Sequence, residues 1–153
     1  MTSEPRLGDA ETITNEERRE VLILAETDDM TITRSRYGPG ERGPDLHVHR
    51  EHTDAFYVLE GELTFEVGPQ AKKVRVPAGR FVAVPPNVAH SFANEGSVDA
   101  RWLNMHVPDT GFARYLRALR DGADATFFDG FDPPARGGLP ASDVIVVAAP
   151  EES

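Results

Sequence analysis

The sequence predicts an all-β domain, an antiparallel sandwich or barrel followed by one helix, and three observations carry that prediction. Segments rich in β-branched and aromatic residues recur at short spacing between residues 21 and 107. Glycine and proline punctuate most of the intervals between them. No helical periodicity interrupts the series, so a parallel sheet with crossover helices is disfavoured.

The elements follow in order. Residues 1 to about 19 are polar and charged and predict a loose N-terminal arm. VLILAE at 21–26 and MTITRSRY at 30–37 predict a hairpin that turns at Thr27, Asp28 and Asp29. GPGERGP at 38–44 predicts an irregular loop. Further strands are expected at 45–49, 54–60, 62–67, 73–76, 81–84, 89–93 and 100–107. Gly61, in LEGEL, reads as a hairpin turn, and Asn87, after Pro85 and Pro86, suits a turn position with positive φ. In DTGFARYLRALRDG at 109–122, Phe112, Tyr115, Leu116 and Leu119 form one apolar stripe and predict a helix. Asp109 or Thr110 is expected to cap its start and Gly122 its end, with Arg117 and Arg120 near the negative end of the helix dipole. Residues 20–122 are thus expected to form a barrel plus helix, and 123–153 a turn-rich tail. DVIVV at 143–147 either adds a last strand or docks on a partner subunit.

The 153 residues show no internal repeat and fit one hydrophobic core. A formal charge of −10, from 26 acidic and 16 basic residues, repels phosphate backbones and anionic headgroups, so neither nucleic acid nor a membrane surface is an expected partner. With no cysteine, disulfides, thiolate zinc sites and thiol catalysis are excluded, and a transition metal must be held through nitrogen and oxygen. MTSEPRLGDAETITNEERRE has neither a basic start nor an apolar stretch of signal-peptide length, so a soluble cytoplasmic protein is expected.

The chemistry concentrates in DLHVHREHTDAFYVLEGEL, residues 45–63. His47 and His49, two apart on a strand, project from one face. Asp54 shares a face with Phe56 and Val58 while Tyr57 and Leu59 lie opposite, which predicts burial from both sides, by the barrel interior and by another layer or subunit. A carboxylate entering such an interior needs a partner or a metal. His90, past the Pro85-Pro86-Asn87 turn, is placed to supply a third nitrogen. His52 reads as an exposed turn histidine, and His106 as a satisfied strand histidine near the cavity mouth. Phosphate loops and nucleophile elbows are lacking, and Ser91 beside His90 has no triad partner pattern.

With these residues in view the sequence resembles the cupin family. Its first motif, His-x-His, a short spacer, Glu, six residues, Gly, is similar to His47-Val-His49, REHT, Asp54, AFYVLE, Gly61, with Gly40 or Gly43 upstream. The second, G-x5-P-x-G-x2-H-x3-N, is similar to Gly79, Pro85, Asn87, His90 and Asn94, with asparagine replacing the central glycine. Motifs and connecting segment span residues 40–94. The resemblance implies a double-stranded β-helix and one divalent metal ion held by His47, His49, Asp54 and His90. Asp54 replaces the family's glutamate and is one methylene shorter. Two arrangements therefore stay open: direct ligation by Asp54, with His52 able to offset its reach, or a three-histidine site with Asp54 orienting a ring or serving as a general base. Iron, manganese, nickel, cobalt and zinc all suit such donors.

A small-molecule substrate and a homodimer are further implications. VPDTGFARYLRALRDG is similar to the segment after the barrel in quercetin dioxygenase-like cupins. This implies a metal-dependent oxygenase acting on a small phenolic or enol-bearing molecule, with the metal as Lewis acid and Asp54 as catalytic base. The alternatives are a redox-neutral metal-dependent isomerase, cyclase or lyase, and a non-catalytic cupin that binds a sugar or another small molecule.

Overall fold

A computed structural model describes residues 3–5, 7–134 and 138–148. Ten strands and one α-helix follow in chain order: β1 (Glu11–Asn15), β2 (Arg19–Glu26), β3 (Thr31–Tyr37), β4 (Thr53–Glu60), β5 (Glu62–Val67), β6 (Lys72–Pro77), β7 (Arg80–Val84), β8 (His90–Ala93), β9 (Ala100–Val107), α1 (Phe112–Asp121) and β10 (Ile145–Ala148). They form a seven-stranded sheet, in the order β1-β2-β3-β9-β4-β7-β10, and a three-stranded sheet, β6-β5-β8. All pairings between named strands are antiparallel.

The β2–β3 hairpin turns where the sequence places it, with Met30 O accepting from Thr27 N at 2.9 Å. Gly61 does something else. β4 pairs with β7 and β9 whereas β5 pairs with β6 and β8, so Gly61 turns a corner between sheets and not a hairpin. Its φ is +70°, and a Cβ there would strike the Asp99 carbonyl oxygen. Gly61→Ala is therefore expected to destabilise the fold by about 1–3 kcal/mol, read as a lower denaturation midpoint. Asn87, at φ 69°, takes the corner from β7 to β8 in the left-handed conformation its residue type permits.

Between the sheets, Phe56, Val58, Leu63, Phe65, Val76, Val82, Val84 and Trp102 are almost fully buried, and alternation along each strand places them there. The interior is not uniform. β9 turns Trp102, Asn104 and His106 inward, and β4 turns Val58, Phe56 and Asp54 inward. In register, Val58 faces Trp102, Phe56 faces Asn104 and Asp54 faces His106. One half of the barrel is apolar, and the other carries buried polar groups. The outer face of β4 stays half-exposed at Tyr57, and Leu59 is exposed, so among the described residues no second layer of this chain covers it.

Four expectations need correcting. Residues 11–15 are not loose: they form β1, because Ile13 packs with Ile23, Ala113 and Leu116 against α1. Residues 45–49 form no regular strand; His47 and Val48 make isolated bridges to His90 and Phe131, two separate neighbours that each pair over a single residue. The helix begins at Phe112, with Gly111 as N-cap and no side-chain cap, since Asp109 and Thr110 are used elsewhere. Leu119 lies off the packed stripe and is 52% exposed.

Gly122 closes the helix in the left-handed conformation as expected. Arg117 and Arg120 bind Glu11 of β1 at 2.9 and 2.8 Å, and Arg117 also reaches Glu26 at 2.9 Å. Hydrogen bonds from the two guanidinium groups hold Glu11 down to about 2. Its contribution to stability is present above the ordinary carboxylate range and is lost as pH falls from about 4.5 towards about 2. In Glu11→Gln that acid-side loss should shrink, and high salt should narrow the difference further because the groups are partly exposed. The alternative left open for the tail falls to the strand, since β10 pairs with β7 from Ile145↔Ala83 to Ala148↔Arg80. None of the helices among the described residues is long and apolar enough to cross a membrane.

Candidate metal centre

All five histidines of the chain gather at the polar end of the barrel. His47, His49 and His90 lie with ring centroids 4.3–4.9 Å apart, and Asp54 stands against them from β4. Its Oδ2 is 3.1 Å from His90 Nε2 and 3.4 Å from His49 Nε2. Its Oδ1 accepts from Asn104 Nδ2 at 2.6 Å and faces His106 Nε2 at 3.5 Å. Ligand atoms of the four residues lie within 4.8 Å of one another.

The backbone settles which ring nitrogens carry the hydrogen. Nδ1 of His47 donates to Asp45 O (2.7 Å), Nδ1 of His49 to Asp129 O (2.6 Å) and Nδ1 of His90 to Val88 O (3.0 Å). A carbonyl can only accept, so each Nδ1 carries the hydrogen and a neutral ring presents an Nε2 lone pair inward. His49 Nε2 is buried without a hydrogen-bond partner. Lone pairs facing a carboxylate oxygen repel unless a proton or a cation lies between them. Tetrahedral ligands with bonds of about 2.0–2.1 Å stand roughly 3.3 Å apart, which matches the spacings around Asp54 Oδ2. The residues present fit a divalent metal, and Asp54 reaches the others despite its short side chain.

Electrostatics agree. Burial, reinforced by neighbouring His90, pushes His47 down to about 4, so its ring is neutral near pH 7. At His49 burial is outweighed by the Asp54 carboxylate facing Nε2 at 3.4 Å, and the pKa is raised, which favours a proton or a metal ion at that nitrogen. Burial would raise Asp54, but His106, His49 and His90 hold it well below the usual carboxylate range. An anion stabilised this way is a good ligand and a weak proton acceptor.

Two readings of single residues are overturned. His52 is not an exposed turn histidine: it is 1% exposed, with Nδ1 bonded to Asp129 Oδ2 at 2.6 Å and close to Thr110 Oγ1 at 3.1 Å. His106 is not satisfied, because its Nδ1 is buried without a partner while its ring stacks on Phe112 at 3.8 Å. Asp129 is a residue the sequence reading missed. From the segment after α1, its carboxylate also accepts Arg50 N at 2.7 Å and Glu51 N at 2.9 Å. Its carbonyl takes His49, so one residue holds the whole 49–52 turn.

A cavity of about 670 Å³ leads to His47, His49 and Asp54. Its walls include Tyr37, Phe92, Trp102, Phe112 and Phe127, and Arg19 and Arg42 also line it.

The model of the cupin domain matches residues 33–106. The chain is a cupin. It is 32% identical over 111 residues to quercetin 2,3-dioxygenase of Bacillus subtilis, covering 72% of this chain and 32% of that one. This cupin therefore spans about a third of the length of that curated relative. Among solved structures, an RmlC-like cupin from Shewanella frigidimarina superposes with a TM-score of 0.58 at 21% identity, over 71% of this chain and 93% of that one. The polyketide cyclase RemF from Streptomyces resistomycificus does so with a TM-score of 0.56 at 22% identity, over 69% and 80%. At such identities the likeness is one of fold, the double-stranded β-helix.

Proposed function

We propose that this cupin is a mononuclear metal-dependent oxygenase for a small phenolic or enol-bearing molecule, with His47, His49, Asp54 and His90 as metal ligands. The observation that carries the reading is the position of three Nε2 lone pairs and one carboxylate oxygen at the end of an aromatic-walled cavity. A bound divalent metal supplies Lewis-acid chemistry towards a substrate oxygen and, if redox-active, electron transfer.

The chain's own residues do the rest. Asn104 fixes Asp54 by donating to its Oδ1, and the low proton affinity of Asp54 favours ligation over proton removal. Aromatic walls suit a flat ring, and a volume near 670 Å³ accommodates a molecule of two or three fused or linked rings. The identity to a quercetin dioxygenase supports the oxygenase class.

Metal analysis of the purified chain and oxygen uptake with a flavonol test the reading. Near-stoichiometric iron, manganese, nickel or cobalt with substrate-dependent uptake is expected. A metal-replete protein that consumes no oxygen but rearranges or cyclises a phenolic substrate would assign it to the redox-neutral class.

A further inference from the structure

Next to the proposed ligand set lies a second cluster made only of imidazoles. Ligand nitrogens of His49, His52 and His106 lie within 4.8 Å of one another, and all three residues are buried. Among the described residues, the buried side-chain nitrogens without a hydrogen-bond partner are His49 Nε2, His52 Nε2, His106 Nδ1 and Arg34 Nε. Three of the four belong to this cluster. An unpartnered buried polar atom costs about 1–3 kcal/mol, so three in one place call for a common partner.

The protonation pattern says what kind. His49 and His52 both spend Nδ1–H on Asp129, on its carbonyl and its carboxylate, which leaves an Nε2 lone pair on each. His106 turns Nε2 towards Asp54 Oδ1, leaving the Nδ1 lone pair. Lone pairs need a proton donor or a cation, and no donor among the described residues reaches them. Asp129 stands behind the rings of His49 and His52 and Asp54 behind that of His106, where carboxylates raise the basicity of a ligating imidazole and balance a dication. The rings of Phe112 and Phe127 cover the cluster.

We infer that His49 Nε2, His52 Nε2 and His106 Nδ1 form a second position for a borderline divalent cation such as cobalt or zinc. It is filled in alternation with the first, since His49 Nε2 has one lone pair and cannot serve both. Three nitrogen donors favour cobalt, nickel, copper and zinc over manganese, whereas the carboxylate of the first position tolerates manganese. The inference leans on the proposed function only through the shared His49.

The test is an anomalous-difference map of the intact chain crystallised with excess cobalt, together with cobalt titrations of His90→Ala and His90→Ala/His52→Ala. Two partly occupied peaks are expected, one of them about 2.0–2.1 Å from His52 Nε2. His90→Ala should drive cobalt into that second position, and adding His52→Ala should weaken binding at least about tenfold. A peak at the first position alone, or equal affinities for the two variants, overturns the inference and leaves the mononuclear reading intact. A peak beside His52 alone supports it and removes the mononuclear reading; no peak removes both. If His90→Ala does not fold by circular dichroism, the map of the intact chain decides.

Discussion

In His49→Ala, cobalt or zinc affinity is expected to fall by at least about 100-fold, with oxygen uptake lost in parallel. His49 is the imidazole common to both histidine clusters: its Nε2 is 3.4 Å from Asp54 Oδ2, and its ring lies 4.8, 4.1 and 4.9 Å from those of His47, His52 and His90. Losing one of four ligands exceeds the 10–100-fold usual when only a supporting group is removed. Thermal unfolding offers an independent readout. At a metal concentration 100 times the dissociation constant the native chain gains about 2.7 kcal/mol, hence roughly 5–11 °C, and the variant should gain almost none. Unchanged affinity in a chelator competition would sink the assignment.

Asp129→Ala is the second large expected effect. One carboxylate accepts from Arg50 N, Glu51 N and His52 Nδ1, and the same residue's carbonyl anchors His49. Alanine keeps the carbonyl but strands two amides and a buried ring, a loss of about 2–4 kcal/mol and roughly 4–16 °C in melting temperature. Metal affinity should drop about 10–100-fold as the 49–52 turn loosens. Asp129→Asn retains one acceptor oxygen and should recover part of both losses. A variant that melts lower yet binds metal as tightly as the native chain would make Asp129 a purely structural anchor.

Much of this was legible in the residues. The spacing of His47, His49, Asp54 and His90 marks out ligand-type side chains, and the structure brings their donor atoms within 4.8 Å of one another because motif residues sit on short segments whose local geometry is fixed. The barrel and α1 follow from period and punctuation. What was illegible is long-range. Asp129 lies 77–80 residues from the groups it holds, in a turn-rich segment with no periodicity to betray its partner. His52 looks like a loop residue, and only the returning chain buries it. Gly61 reads as a hairpin because LEGEL has hairpin composition; which sheet each flanking strand joins depends on β7, β8 and β9, later in the chain. β1 escaped notice because five residues with one buried isoleucine carry little pattern until α1 packs on them.

The tie between His49 and a residue 80 positions later has a consequence for biosynthesis. Translation delivers the paired imidazoles long before their anchor, so throughout elongation of the intervening strands the nascent turn has nothing to brace it. The 49–52 turn is therefore braced late, once Phe131 has emerged and paired with Val48, and the ring of His49 is fixed only after strands β1 to β9 have all been made.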